Sequence, residues 1–213
     1  MKKLLVTIDG PAASGKGRIA KYVSKKWKLF HLDSGVLYRR IALLISEKKI
    51  TLNQVANIKK IISSQKNISL RNHKRLRSEE ISKIASKIAV FGFVREKINK
   101  LQREIVKNNI YKRGFVVDGR DIGSIVFKNA DLKLYIDVNE KNRAKRRFKQ
   151  LIDSGEKSIY RKILKDIKLR DKKDKTRKNS PLIVPDGAVI INNNESFKNT
   201  TDQVNNQIRK ILK

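Results

Sequence analysis

The sequence contains no cysteine, one tryptophan and three prolines, and its 213 residues include only 20 acids against 52 lysines and arginines. Without cysteine there are no disulfides, no thiolate metal ligands and no thiol nucleophile, and a reducing compartment, the cytoplasm, is the expected setting. No apolar run approaches the roughly 18 residues that would span a bilayer, so no membrane partner is expected. The run Leu4-Leu5-Val6-Thr7-Ile8 is shorter than the ~7–15 residues of a signal-peptide core, and it ends in Asp9. The length suits one domain with a core of its own.

The shortage of acids leaves a net charge of +32. Such a charge invites a nucleic-acid reading through phosphate neutralisation. Yet the excess comes with 35 lysines, 27 isoleucines and 17 asparagines, the profile of AT-rich codon usage, and lysine is spread along the chain instead of concentrated in one tail or stripe. Compositional bias therefore accounts for most of it, and no stable nucleic-acid partner is expected. Disorder is excluded by an apolar content of 39% that recurs periodically.

Leu4 to Ile8 reads as a buried strand that opens into Asp9-Gly10-Pro11. The spacing of Ile19, Tyr22, Val23 and Trp27 predicts a helix, Leu29 to Leu32 a second strand, and Asp33-Ser34-Gly35 the cap of a helix bearing Leu37, Ile41, Leu44 and Ile45. Three helical patterns follow, Leu52–Ile62, Ile81–Phe91 and Val94–Val106, with a basic segment from Lys66 to Arg77 whose only strand character is Ile68-Ser69-Leu70. Strands return at Phe115-Val116-Val117, at Leu132 to Val138 and at Ala188 to Ile191. Between and after these come helices at Glu140 to Ile152, Ser158 to about Lys172, and Thr201 to Leu212. Five short apolar strands separated by helices predict an α/β fold with a parallel sheet covered on both faces.

The segment Gly10-Pro11-Ala12-Ala13-Ser14-Gly15-Lys16 fits G-x-x-x-x-G-K between a strand and a helix. Glycines let the backbone turn tightly enough for successive N–H groups to face phosphate oxygens, the helix N-terminus adds partial positive charge, and Lys16 neutralises the β- and γ-phosphates. The hydroxyl residue that usually follows the lysine is replaced by Gly17, with Arg18 next. No residue is therefore expected to ligate Mg2+ directly; the ion would be held through phosphates and water, with Asp33 or Asp9 as outer-shell partners.

Five blocks in order resemble the bacterial cytidylate kinases of the P-loop nucleoside monophosphate kinase family. They are Ile8 to Gly17; Leu32-Asp33-Ser34-Gly35-Val36-Leu37-Tyr38-Arg39; Ala85-Ser86 with Val94-Arg95-Glu96; Val117-Asp118-Gly119-Arg120-Asp121-Ile122-Gly123; and Arg170-Asp171 through Asp174 to Arg177 and Ser180-Pro181-Leu182. The resemblance implies a P-loop NTPase-type three-layer fold with a five-stranded parallel sheet. Its core covers about 1–50, 110–140 and 180–213, a mostly helical monophosphate-binding insert about 51–109, and a basic helical lid about 141–178. The family usually has threonine at the position of Arg18 and a longer insert with a small antiparallel sheet, so the insert here is expected to be truncated.

The implied reaction transfers the γ-phosphoryl group of ATP, with Mg2+, to CMP or dCMP in pyrimidine nucleotide metabolism. ATP would lie against Gly10, Pro11, Ala12, Ala13, Ser14, Gly15, Lys16, Gly17 and Arg18, flanked by Arg143 and Arg147 on one helix face. CMP would be held by Ser34, Arg39, Ser86, Arg95, Arg120, Asp121, Asp174 and Arg177. Among these, Arg39, Arg120 and Arg177 would meet its phosphate, Asp121 its amino group and Asp174 its ribose. Lys16, Arg120, Arg170 and Arg177 would serve the transfer itself. Such chemistry asks for positioning and charge neutralisation rather than covalent help. The expected protein is a cytoplasmic monomer that binds small nucleotides. Another small-molecule P-loop kinase, or an RNA-binding module with a vestigial loop, are the competing readings.

Overall fold

The computed structural model describes residues 3–65, 68–70, 74–109, 113–153 and 155–212. The chain forms two compact units, one from Met1–His31 with Lys112–Lys213 and one from Leu32–Tyr111, called units 1 and 2 below.

Unit 1 is built around a sheet. Its strands are β1 (Leu4–Asp9), β3 (Gly114–Gly119), β4 (Leu132–Asp137) and β5 (Val189–Asn192), and β2 (Phe30–Asp33) adds at the β3 edge, giving the order β2-β3-β1-β4-β5. β1 pairs in parallel with both β3 and β4, and β4 with β5. The register aligns Val116, Val6 and Leu132 in one row and Asp118, Ile8 and Leu134 in the next. Because side chains alternate along a strand, these rows lie on one face. There Val116, Val6, Leu132, Ile8 and Leu134 join a buried cluster with Ile19, Ala20 and Val23 of α1 (Lys16–Trp27) and Val204 and Ile208 of α8 (Phe197–Leu212). Each such side chain taken from water contributes about 1.5–3 kcal/mol. Thr7 and Asp9, one position out of phase, are buried on the opposite face.

Helices α6 (Glu140–Asp153) and α7 (Tyr160–Thr176) form a hairpin with a small core of its own, Ala144, Leu151, Ile163 and Ile167. α7 runs four residues beyond the expected end near Lys172. Its last turn carries Asp174, which is buried against arginines instead of being solvated. α8 starts at Phe197, earlier than Thr201, because Ser196 accepts the Asn199 N–H on its hydroxyl and the Thr200 N–H on its carbonyl, as a helix cap does.

Unit 2 is helical, with α2 (Ser34–Glu47), α3 (Val55–Ser64), α4 (Glu79–Ile88) and α5 (Gly92–Asn108), and a 3₁₀ turn at Lys74–Arg77. Its core is separate from that of the sheet and includes Leu37, Ile41, Ile45, Ile58, Leu76, Ile81, Ile88, Val94 and Ile98. The expected strand character at Ile68-Ser69-Leu70 is not realised; the three residues lie in no strand and no helix. Residues 66, 67 and 71–73 of that basic segment lie outside the described residues.

Candidate functional site

The phosphate loop follows directly from β1. Ala13 and Gly15 both take left-handed backbone, φ 57° and 84°, which reverses the chain twice within a few residues. Glycine at 15 is required twice over, since a Cβ there would lie 2.9 Å from Nδ2 of Asn193. Gly15 is also the N-cap of α1 and brings no side-chain bond to it, so the first turn of that helix offers its N–H groups to an anion.

Three carbonyls of the loop are held by donors. Lys16 Nζ donates to Pro11 O at 3.2 Å, Arg143 Nη1 to Ala12 O at 2.9 Å, and Asn193 Nδ2 to Ser14 O at 2.7 Å. Lys16 is half-buried overall with its ammonium end enclosed. Burial, and then the neighbouring Arg120, lower its pKa to about 7 against the pull of Asp118.

Arg120, at the end of β3, donates through Nε to Asp174 Oδ2 at 3.0 Å. Arg177 donates through Nη1 to Asp174 Oδ1 at 3.2 Å and through Nε to Ser180 O at 2.6 Å, and its Nη2 stands 3.8 Å from Asp121 Oδ1. One buried carboxylate thus spaces two guanidinium groups beside a second carboxylate. Burial works against the charge of Asp174, but Arg120, Arg170 and Arg177 outweigh it and hold the carboxyl below its usual range.

In unit 2, Asp33 caps α2 by accepting the Val36 N–H at 3.2 Å and pairs with Arg39 Nη2 at 3.2 Å. Ser34 is buried beside this cap and Ser86 is half-buried on α4. Arg95 is buried on α5, where Nε donates to Ala89 O at 2.6 Å and Nη1 to the Tyr38 hydroxyl at 3.4 Å.

Several expected site residues have other surroundings than the sequence suggested. Asp9 accepts the N–H groups of Ile122 and Gly123 on its two oxygens, and Asp33 caps α2 and pairs with Arg39. Arg143 does not share an open helix face with Arg147. It is buried, donates to Val138 O and Ala12 O, and pairs with Asp171 at 2.6 Å, while Arg147 is bonded to Gln150 at the surface. The exposed Arg18 places its guanidinium 3.8 Å from the centre of the Phe197 ring. Asn193, Asp171 and the pair His31–Asp118, 2.6 Å apart, were not singled out in the sequence. Their partners are far away in the chain, and only the folded chain brings them together.

Among the described residues no group of three or more His, Cys, Asp or Glu forms a metal cluster, and no helix is long and apolar enough to cross a membrane. A divalent ion carried by phosphates nevertheless has a carboxylate to meet. A side chain at position 17, where phosphate loops usually carry a hydroxyl, would point to Asp118 Oδ2 at 3.7 Å.

A glycine-rich cradle between the central strand of a parallel sheet and a helix, with arginines at the carboxyl ends of the strands, defines a P-loop nucleotide-binding protein. The solved structures of TT1252 from Thermus thermophilus and of an uncharacterized protein from Eubacterium ventriosum share the fold. Both have a TM-score of 0.52, at 12% and 15% identity, with 99% and 98% of this chain covered and 98% and 97% of theirs. Residues 6–213 match the family described as Cytidylate kinase. A cytidylate kinase of Rickettsia felis is 39% identical over 97% of this chain and 92% of its own length, and one of Bartonella bacilliformis is 37% identical over 92% and 89%. The chain belongs to the cytidylate kinase family.

Proposed function

We propose that this protein transfers the γ-phosphoryl group of ATP to CMP or dCMP, forming ADP and CDP or dCDP. The observation that carries this reading is the grouping, in a member of the cytidylate kinase family, of the phosphate loop with Arg120, Asp121, Asp174 and Arg177 on one unit.

ATP phosphates lie along the loop from Gly10 to Gly17, against the first turn of α1. Lys16 takes up its charge as the anion arrives, and Arg170 stands close enough to depress the lysine's pKa in the meantime. The acceptor is a phosphate oxygen of CMP, already anionic, so no general base is needed; the protein's task is to bring two anions into line. On unit 1, Arg120 and Arg177 hold the CMP phosphate with guanidinium forks that suit bidentate contacts; on unit 2, Arg39 is a phosphate-binding arginine. Asp174 keeps Arg120 and Arg177 spaced before the ligand binds and accepts from the ribose. On unit 1, Asp121 accepts from the cytosine amino group; on unit 2, Arg95 and Ser86 are base-contact residues and Ser34 a substrate-binding residue beside the cap of α2. Uracil offers a carbonyl there, which leaves Asp121 facing an acceptor. Arg147 flanks ATP from the α6–α7 hairpin, which excludes water from the transfer.

Mg2+, when carried by the nucleotide, neutralises charge on the transferring phosphates. Asp118 fits as its partner through water, because His31 occupies Oδ1 and Oδ2 faces Gly17. The protein acts as a cytoplasmic monomer on small nucleotides.

An ADP-release assay with ATP, Mg2+ and a panel of CMP, dCMP, UMP and AMP tests the reading. CMP and dCMP are expected to be strongly preferred; AMP or UMP as the better acceptor overturns it.

A further inference from the structure

Arg143 and Asn193 do more than hold two carbonyls. A trans peptide is planar, so the carbonyl of one residue and the N–H of the next point to opposite sides. Drawing Ala12 O toward Arg143 turns the Ala13 N–H the other way, and drawing Ser14 O toward Asn193 does the same for the Gly15 N–H. The two amides flank the two left-handed residues of the loop, where the backbone is least free to choose its direction unaided.

Both clamps are braced from behind. Arg143 is fixed by Val138 O at 3.0 Å and by Asp171 at 2.6 Å, and Asp171 also accepts the Ala12 N–H at 3.3 Å, so that Ala12 is held through both of its successive peptide groups. Asn193 accepts the Thr200 hydroxyl on Oδ1 at 2.8 Å, donates its N–H to Asp137 O at 2.9 Å, and offers its own carbonyl to Arg146 Nη2 at 2.7 Å. Neither side chain has conformational freedom left to lose when a ligand binds.

We infer that Arg143 and Asn193 are positioning residues that aim the Ala13 and Gly15 N–H groups at the polyphosphate chain of a nucleoside di- or triphosphate. This rests on the reading that the loop holds the phosphates of ATP. Preorganised N–H donors bind an anion without the cost of turning the backbone at the moment of binding. The effect belongs to the ATP side alone, which separates it from a general role in stability.

Asn193→Leu keeps the side-chain size and removes the donor to Ser14 O; Arg143→Gln shortens the reach to Ala12 O. ADP affinity by calorimetry, separate KM values for ATP and CMP, and backbone amide shifts of Ala13 and Gly15 during ADP titration are the readouts. In Asn193→Leu, ADP binding and KM for ATP are expected to weaken about ten-fold. KM for CMP should stay within about two-fold, and the Gly15 shift on ADP addition should shrink. Arg143→Gln should do the same at Ala13. ADP affinity within two-fold of the wild type in these variants, or KM values for ATP and CMP rising together, overturns the inference. Thr200→Val, which removes the brace on Asn193 together with the hydroxyl's bond to Ser196 O, is read by the same criteria if either variant fails to fold. A wild type that binds ADP but does not phosphorylate CMP defeats the proposed reaction and leaves this test standing.

Discussion

The carboxylate of Asp9 accepts the backbone N–H of Gly123 at 2.7 Å, and its other oxygen accepts that of Ile122 at 2.9 Å. The last residue of β1, one step before the phosphate loop, is thereby tied to the turn that follows Asp121. Gly123 must be glycine for this approach, because a Cβ there would meet Thr7 Oγ1 at 2.8 Å. Asp9→Asn places an amide donor against an N–H. The expected cost is about 1–3 kcal/mol of stability by urea denaturation. Turnover with CMP should fall further than the affinity for ATP.

Asp9 also gives a pH signature. Burial raises its pKa from 3.8 to about 6, against the two N–H bonds that lower it. Between these values the folded protein holds a proton that the unfolded chain has released, so this group's contribution to stability declines as pH rises from about 4 through 6. Thermal unfolding across that interval should show a decline in the wild type that is missing from Asp9→Asn. Parallel pH dependences in the two proteins would count against it.

Lys16 has the opposite sign. Its folded pKa, about 7, lies below the ordinary 10.5, so between the two the unfolded chain holds the proton that the folded protein lacks, and stability rises with pH. A polyanion in the loop reverses the depression. ADP or inorganic tripolyphosphate is therefore expected to bind with net proton uptake near about pH 8.5, detected by calorimetry in buffers of different ionisation heat. Lys16→Met should abolish the uptake.

Asp121 stands 3.8 Å from Arg177 and 4% exposed, an acceptor held inside a basic cluster. Asp121→Ala should lower kcat/KM for CMP at least about ten-fold more than for UMP, since only cytosine loses a partner. Equal losses for both nucleotides would remove Asp121 from base recognition.

Arg18 stands where the family usually has threonine, but its guanidinium is engaged by the Phe197 ring 3.8 Å away. Arg18→Thr should cost about 0.5–1 kcal/mol of stability, the worth of an exposed cation–π contact. KM for ATP should change less than about three-fold; a larger change would bring Arg18 into phosphate binding.

The parts legible in the sequence were those written in contiguous stretches. The strand–loop–helix of residues 4–27, the alternation of strands and helices and the charged α7 could be read from spacing alone. What brings Asn193 to Ser14 is the parallel pairing of β1 with β4 and β4 with β5, and what brings Asp171 to Ala12 is the packing of α7, where it pairs with Arg143 of α6, in both cases across more than a hundred residues. No local pattern marks such a residue as different from an ordinary loop asparagine or a solvated helix aspartate. Asp9 shows the same limit: next to the loop it suggested a metal partner, whereas the turn it holds lies on another strand's extension. The segment Ile68-Ser69-Leu70 shows the converse: among the described residues no strand lies beside it, and strand propensity without a neighbouring strand satisfies no backbone bonds.

Unit 2 interrupts unit 1 in sequence, so β1 can meet β3 only after closing a loop that contains all of unit 2. Loop closure becomes costlier as the flexible chain lengthens, while helices with local contacts form faster than parallel strands find each other. Folding of unit 2 on its own core replaces flexible chain by a compact body and shortens the tether. Pulsed hydrogen exchange during refolding should find amides of α2 and α4 protected before those of β1 and β3; simultaneous protection would contradict this order. On that order the phosphate loop, hung from the end of β1, is among the last parts of the chain to take shape, and catalytic competence arrives with closure of the sheet.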